Sequence, residues 1–188
     1  MSIVDTLKKL VQKTMEASTT HDWEHLERVY KLSTMIAEKE GADIELCQVG
    51  ALLHDIGRVI GEPHNLTGRG RAKVLLRGMS YPSKKIDHVM RIIEYHSLGG
   101  LDKLESIEEK VVWDADKLDG IGAIGIARAF HMRGDTGLTF RDFTWFKDDT
   151  MLRYEGLNTD TAKELGKKRI GYMKVFFETL ENEINLIY

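Results

Sequence analysis

The chain has 188 residues, of which 42% are hydrophobic, 30% charged and 8% aromatic, a composition typical of one globular domain. Its 27 basic and 30 acidic side chains leave a formal charge of −3, which argues against general binding to nucleic-acid polymers or anionic membranes. No run of apolar residues approaches a membrane span, so no transmembrane helix is expected. The single cysteine, Cys47, excludes an intramolecular disulfide and favours a reducing, cytoplasmic location.

Apolar residues recur at intervals of three and four through most of the chain, a spacing typical of helices that bury one face. With only two prolines in the chain, this pattern predicts an all-α fold. Thr20 or Asp22 is expected to cap the second helix, Gly41 to end it, and Gly68 and Gly70 to interrupt the fourth. The predicted helices cover about 3–15, 20–40, 44–60, 64–76, 84–97 and 159–185, and the stretch 105–131 is expected to form one or two helices.

Residues 132–158 lack a clean helical period. We expect this segment to form an irregular excursion that packs its aromatic rings on the helices or on a second subunit. Covering a functional site and forming a homodimer contact are its two alternative roles. The aromatic residues are Phe140, Phe143, Trp145, Phe146 and Tyr154. No repeat or linker stands out, so 1–188 is predicted to be a single domain.

Histidine and aspartate occur in unusually apolar settings at three places in the sequence. His25 falls on the apolar stripe of the second predicted helix, and the pair His54-Asp55 lies within an apolar run of the third. Asp116 follows another apolar run. A lone histidine on an apolar face is more often a hydrogen-bonded core residue, but a carboxylate there is costly unless it is paired or binds a metal. Two imidazoles and two carboxylates on the inner faces of three helices would suit one divalent cation.

The order of these residues resembles the signature of the HD-domain superfamily of metal-dependent phosphohydrolases, which is an isolated His, a later His-Asp pair and a distal Asp. His25 in HDWEHLERV matches the first position, His54-Asp55 in ALLHDIGR the pair, and Asp116 in VVWDADKLDGIGAIGIAR the last. The flanking sequence is most similar to the small stand-alone bacterial and archaeal HD hydrolases. The resemblance covers roughly residues 18–185.

This resemblance implies an all-α HD-domain helical bundle with one bound divalent metal ion (Mn, Mg, Ni, Co or Fe). The implied metal ligands are His25, His54, Asp55 and Asp116. It also implies hydrolysis of a phosphate ester or anhydride through a metal-activated water. The expected substrate is a small phosphorylated molecule, with a nucleotide as the family's common substrate class. Nothing in the sequence selects a base or a sugar.

Five residues are candidates for a catalytic role. Asp55 or Asp119 could accept a proton from water, and Arg58 and Lys117 could stabilise negative charge on the phosphate. His96 could donate a proton or contact the substrate. Four of the five also have an ordinary structural role available: a surface salt bridge for Arg58, solvation for Lys117, pairing with a cation for Asp119, and a core position for His96.

Several alternatives stay open at this point. Asp114 competes with Asp116 as the distal ligand, and Asp116 is preferred because the family motif reads Ala-Asp-x-Leu. A two-metal oxygenase on the same scaffold would need more histidines, and the helical turn after Asp55 contains none, although His64 and His96 could supply a second site. A non-catalytic metal-binding scaffold is the third alternative.

Overall fold

A computed structural model describes residues 2–15, 23–61, 63–133 and 144–187. Within these ranges the regular structure is entirely helical, which confirms the all-α prediction. The nine α-helices of the described ranges are α1 (Ile3–Met15), α2 (Trp23–Glu40), α3 (Ile44–Leu53), α4 (His64–Gly78), α5 (Ser83–Tyr95), α6 (Ile107–Asp119), α7 (Ala123–Arg133), α8 (Thr144–Glu155) and α9 (Asp160–Ile184). A 3₁₀ helix, Leu98–Lys103, links α5 to α6. None of these helices is both long and apolar enough to cross a bilayer.

The chain divides into two compact units, Met1–Asp116 and Lys117–Tyr188. In the first unit α3 packs against α1, α2 and α5, while α4 packs against α5. The apolar stripes that predicted these helices form its core, in which Leu7, Leu26 and Leu53 are fully buried. Each of α1, α2 and α3 therefore turns its apolar face inwards, and the histidine of α2 that shares this face is buried with it.

The third predicted helix ends earlier than expected. α3 stops at Leu53, and the segment 54–60 forms consecutive tight turns instead of a helical extension to Ile60. The amide of Arg58 donates to the carbonyl of Asp55 at 3.0 Å, and the amide of Ile60 to that of Gly57 at 2.9 Å, both across three residues. His54 and Asp55 therefore lie at the point where the chain leaves α3 and turns towards α4.

The two glycines of α4 do not interrupt it, contrary to expectation. The helix runs unbroken through Gly68 and Gly70. Gly68 packs against Gly57 of the preceding turns, and a Cβ on Gly57 would stand 2.6 Å from the Gly68 amide nitrogen. The absence of a side chain at Gly68 thus serves backbone packing rather than helix termination. The predicted caps Thr20 and Asp22 of the second helix lie outside the described residues.

The second unit contains α7, α8 and α9, with α7 and α8 both packed on α9. Residues 144–155 of the supposed irregular segment form α8, so that expectation is wrong there, and 134–143 lie outside the described residues. Adjacent aromatic residues at the start of α8 hid its period, because Phe146 is buried while Trp145 is only partly so. α9 spans Asp160–Ile184, where a helix over 159–185 was expected, and the Thr159 side chain accepts a hydrogen bond from the Ala162 amide at 3.3 Å.

Candidate metal centre

Two buried histidines meet in the first unit. His25 lies on the buried face of α2 and His54 at the C-terminal end of α3, with their ring centroids 5.4 Å apart. The Nδ1 atom of His54 lies 2.8 Å from the carbonyl oxygen of Ala51, so Nδ1 donates there and Nε2 keeps its lone pair. Burial lowers the pKa of His54 against the opposing charges of Asp55 and Asp116. His54 is therefore held as a neutral imidazole, the form that binds metals.

Two carboxylates approach both of these imidazoles. Asp55 Oδ2 lies 3.8 Å from Nε2 of His25 and 3.7 Å from Nε2 of His54. Asp116 Oδ1 lies 3.5 Å and 3.8 Å from the same two nitrogens. These separations exceed hydrogen-bonding distance. Nε2 of His54 is buried and makes no hydrogen bond with any residue that the structure describes.

This set of donors fits a divalent cation. Ligand atoms bound about 2.1 Å from one ion are separated from each other by roughly 3 to 4 Å. The imidazole nitrogens and carboxylate oxygens keep such separations, and the ligand atoms of His25, His54 and Asp116 all lie within 4.8 Å of one another. A buried imidazole nitrogen that makes no hydrogen bond, such as Nε2 of His54, is unfavourable unless it gains a further partner. The group could therefore hold a divalent metal ion.

Asp55 also faces a second pair of histidines, His64 at the start of α4 and His96 after the end of α5. Its Oδ1 lies 3.7 Å from Nε2 of His64 and 3.3 Å from Nε2 of His96, and these two nitrogens are 3.3 Å apart. Nδ1 of His96 lies 2.7 Å from the carbonyl oxygen of Ile93, which directs its Nε2 towards the group. Ligand atoms of Asp55, His64 and His96 lie within 4.8 Å of one another, so this second group could also hold a metal ion.

Arg58 contacts the shared carboxylate directly. Its Nε donates to Asp55 Oδ1 at 2.9 Å, within the turns that follow α3. The Arg58 side chain is partly exposed, whereas the Asp55 side chain is almost completely buried. The salt bridge considered for Arg58 is thus present, but with a proposed metal ligand rather than with a surface acid. That position at the edge of the site is also compatible with a phosphate contact.

Three other charged residues of α6, Asp114, Lys117 and Asp119, do not belong to the groups of possible metal ligands. Lys117 and Asp119 are buried members of the second unit. Asp119 Oδ2 accepts a hydrogen bond from Arg128 Nη1 at 2.7 Å, which is the pairing considered as its structural role. Asp114 is fully buried, but the described groups that could hold a metal include Asp116 and not Asp114.

The structure brings together the four ligands proposed from the sequence, and it places His96 beside them. It also brings His64 to the site, a residue considered from sequence only for a second metal. His64 is the first residue of α4, directly after Pro63 at the N-cap position. The sequence does contain a signal for His64, which is a histidine at the start of a predicted helix shortly after the His-Asp pair. What the sequence does not reveal is that α4 packs closely on the turns between them and so brings His64 to the site.

Comparisons with known proteins found relatives and solved structures that match almost the whole of this chain. YpgQ of Bacillus subtilis (strain 168) is 35% identical over 178 residues, which cover 90% of this chain and 87% of YpgQ. The crystal structure of B. subtilis YpgQ in complex with ADP has a TM-score of 0.80 and 33% identity, and the match covers 96% of this chain and 94% of that one. An HD-superfamily hydrolase from Bacillus thuringiensis has a TM-score of 0.80 and 30% identity, with 97% and 96% covered.

The family model described as the HD domain matches residues 22–121, which is more than half of the chain. This region contains all four proposed ligands. The resemblance seen in the sequence motifs is confirmed by the family model and by the structural neighbours that are named HD-superfamily hydrolases. The chain belongs to the HD-domain family.

Proposed function

We propose that this protein is a divalent-metal-dependent phosphohydrolase that cleaves a phosphate ester or anhydride of a nucleotide. The observation that carries the proposal is the convergence of His25, His54, Asp55 and Asp116, whose donor atoms lie 3.5 to 3.8 Å apart across each imidazole–carboxylate pair. Mixed nitrogen and oxygen donors are compatible with Mn, Mg, Ni, Co or Fe. A cytoplasmic location remains a prediction from the single cysteine.

A nucleotide is the proposed substrate class because a relative with the same fold binds one. The YpgQ chain that was crystallised in complex with ADP aligns with almost the whole of this chain. ADP combines a nucleoside with a phosphoanhydride, so both an ester and an anhydride bond are available to a site of this kind. Which bond is cleaved decides whether phosphate or pyrophosphate is released.

Each residue of the site has its own role in the proposed reaction. A bound divalent cation supplies Lewis-acid polarisation of a phosphoryl oxygen and lowers the pKa of water. His54, neutral and fixed through Nδ1, orients its lone pair towards the centre. Asp55 is close enough to accept a proton at the site, and Arg58 is placed to bind negative charge on the phosphate. We also propose that His96, Lys117 and Asp119 contribute to the hydrolysis.

A second candidate is a two-metal site, and one observation favours it. Asp55 directs one carboxylate oxygen at His25 and His54 and the other at His64 and His96. Asp55 would then serve as a ligand residue in both groups, with one oxygen facing each pair of histidines. Two Fe per chain together with oxygen consumption would favour the oxygenase alternative, whereas one Mn, Mg, Ni or Co favours the hydrolase. Two non-redox ions with hydrolysis would keep the hydrolase and revise only the metal count.

The decisive experiment is a panel of nucleoside mono-, di- and triphosphates with Mn and Mg, with products identified by chromatography. His54→Ala and Asp55→Ala should lose both metal retention and hydrolysis. His88→Ala is the matched control, because His88 is an exposed histidine of α5. Full turnover by a metal-free Asp55→Ala protein would refute the mechanism. Retention of a cation without hydrolysis of any phosphorylated compound would favour the non-catalytic scaffold.

A further inference from the structure

Three arginines from three helices of the second unit surround the turn 120–122, which follows α6. Arg128 of α7 donates from Nη1 to Oδ2 of Asp119, the last residue of α6, at 2.7 Å. The guanidinium group of Arg153 of α8 lies beside the first residue of the turn, a glycine whose Cβ, if present, would stand 2.8 Å from Nη1. The Arg169 side chain of α9 packs along the last residue of the turn, another glycine, and donates from Nη1 to a backbone carbonyl of α6. Positive charge from α7, α8 and α9 therefore collects at one turn.

The backbone of this turn brings the start of α7 close to the three arginines. Gly122 has a φ of +90°, which glycine adopts without strain. A Cβ on Gly125 would collide with the carbonyl oxygen of Gly120, so α7 begins tightly against the turn. The first turn of α7 contains no acidic residue, and its first residue, Ala123, is exposed. The positive end of this helix adds to the attraction for an anion, although it does not define a site by itself.

The ion pairs of this cluster leave one of its three arginines without a carboxylate. The carboxylate of Asp119 pairs with Arg128, and that of Asp149 accepts a hydrogen bond from Nε of Arg153 at 2.6 Å. Arg169 forms no ion pair with any residue that the structure describes. Burial lowers the pKa of Arg169 against the opposing charge of Asp119, because a partly buried cation without an adjacent carboxylate is unfavourable. An added anion would therefore stabilise the cluster.

Arg153 and Arg169 also keep N–H groups that could bind an oxyanion. A guanidinium group has five N–H donors. Among the described residues, the Nη groups of Arg153 form no hydrogen bond, and Arg169 donates from Nη1 alone. The side chain of Arg153 is 27% exposed and Arg169 is partly exposed, so a ligand can reach both from solvent. Guanidinium groups bind phosphate through paired N–H donors, and three of them around one turn suit a tetrahedral anion better than a planar carboxylate.

We propose that Arg128, Arg153 and Arg169 form a binding site for a phosphate group within the second unit. The anion would lie beside the turn 120–122 and supply the negative charge that the third arginine lacks. Every residue of the site belongs to the second unit, so the site requires none of the metal ligands of the first. Two sources share this chemistry, the phosphate groups of a nucleotide and free inorganic phosphate. Assignment to a nucleotide rests on the proposed function, whereas phosphate binding itself does not.

The first test measures phosphate binding by isothermal titration calorimetry without a contribution from the metal centre. Full-length His54→Ala, which is expected to retain no metal, is titrated with pyrophosphate, inorganic phosphate, ADP and adenosine. The three phosphorylated compounds should bind, their affinity should fall as NaCl rises, and adenosine should not bind. Wild-type protein in excess chelator provides the same comparison if His54→Ala does not fold. Absence of binding by all three phosphorylated compounds at low salt would overturn the proposal.

The second test substitutes the arginines in the same metal-free background. Arg169→Met keeps the aliphatic stem against Gly122 but removes the N–H donors, and it should weaken pyrophosphate binding about tenfold or more. Arg153→Met should have a similar effect, while Arg169→Lys keeps the charge without the paired donors and should bind with intermediate affinity. Arg71→Met, which replaces an exposed arginine of α4, is the matched control and should not change the affinity. Unchanged affinity in both folded methionine variants of the cluster would contradict the assignment.

The ligand series also identifies the source of the phosphate. ADP binding that is at least about tenfold tighter than binding of inorganic phosphate, and that depends on Arg169, would support the site and assign it to a nucleotide. Equal affinities for ADP and inorganic phosphate, both dependent on Arg169, would support it as a site for the free anion. Failure of every nucleotide to be hydrolysed would refute the proposed reaction but not this site, because binding is measured without turnover.

Discussion

Gly57 lies against Gly68 so closely that a Cβ on Gly57 would stand 2.6 Å from the Gly68 amide nitrogen. The same Cβ would collide with the carbonyl oxygen of His64, the first residue of α4. Asp55 precedes Gly57 by two residues in the turns after α3, and its Oδ1 is 3.7 Å from Nε2 of His64. The contact between two glycines thus holds the start of α4 beside the carboxylate that both histidine pairs share.

Gly57→Ala should therefore destabilise the protein by about 2 to 3 kcal/mol, because the added methyl group meets backbone atoms that cannot move aside as a side chain could. The free energy of unfolding from urea titrations measures the effect. Gly70→Ala is the control, since Gly70 is an exposed helical position with open space at its Cβ. It should gain up to about 1 kcal/mol from helix propensity. Equal effects of the two substitutions would contradict this account.

The helices could be predicted wherever a regular apolar stripe meets a local start or stop signal. α1 was expected over 3–15 and spans Ile3–Met15, and the last helix was expected over 159–185 and spans Asp160–Ile184. α8 could not be predicted, because adjacent aromatic residues obscured which of them would be buried. The end of α3 was also missed, since the apolar run continues past Leu53 although the backbone turns there.

The site was predictable to the extent that its residues need an apolar setting. His25, His54 and Asp116 each stand out because an ionisable group within an apolar stripe requires a partner. The position of His64 depends instead on the backbone contact between Gly57, in the turns after α3, and Gly68 of α4. Glycines in a helical pattern were interpreted as interruptions, and nothing in a single sequence distinguishes a glycine that breaks a helix from one that packs it.

Arg91 and Glu109 join α5 to α6 through an almost buried carboxylate. Arg91 Nε donates to Glu109 Oε1 at 2.7 Å and Nη2 to Oε2 at 3.3 Å, while the Glu105 amide donates to Oε2 at 2.8 Å. Arg91→Met removes the guanidinium and leaves a buried charge, which should reduce the free energy of unfolding by about 3 kcal/mol. Denaturant titration is the measurement.

The control for Arg91 is an exposed pair of the same kind. Lys31→Met breaks the bridge from Lys31 to Glu27, 3.1 Å long and one turn apart on the surface of α2. This substitution should change the free energy of unfolding by less than about 1 kcal/mol. If both methionine substitutions have the same small effect, the buried carboxylate of Glu109 does not depend on Arg91 as inferred here.

Asp43 caps α3 and gives a pH-dependent contribution to stability. Its side chain accepts a hydrogen bond from the Leu46 amide at 3.0 Å and pairs with Lys85 at 2.9 Å. Burial alone would raise the pKa of Asp43, but the hydrogen bonds from Lys85 and from the Leu46 amide outweigh it and lower the pKa below its usual value. The folded protein therefore favours the ionised form.

Because the pKa is lower in the folded state, the stabilisation from Asp43 is present above the usual aspartate pKa and is lost as pH falls through the folded-state pKa. Asp43→Ala should reduce the free energy of unfolding by about 1 kcal/mol at neutral pH through loss of the cap. Asp43→Asn keeps a capping oxygen and should cost less than Asp43→Ala, without the acid-dependent loss. Unfolding curves across the acidic range compare the three proteins. If the free energies of unfolding of wild type and Asp43→Asn change in parallel with pH, the ionised form of Asp43 does not contribute the acid-dependent stability inferred above.

Cys47 should behave as an inert thiol in the folded protein. It is fully buried within α3, and burial together with the charges of Glu108 and Asp43 raises the pKa of the thiol above its ordinary value. Reaction with a thiol-specific reagent requires an accessible thiolate, so labelling at mildly alkaline pH should proceed only as fast as the protein unfolds. Thr179→Cys, which adds a thiol at an exposed position of α9, is the positive control and should label at once. Rapid labelling of the wild type in native buffer would mean that α3 opens locally, and α3 carries His54 at its end.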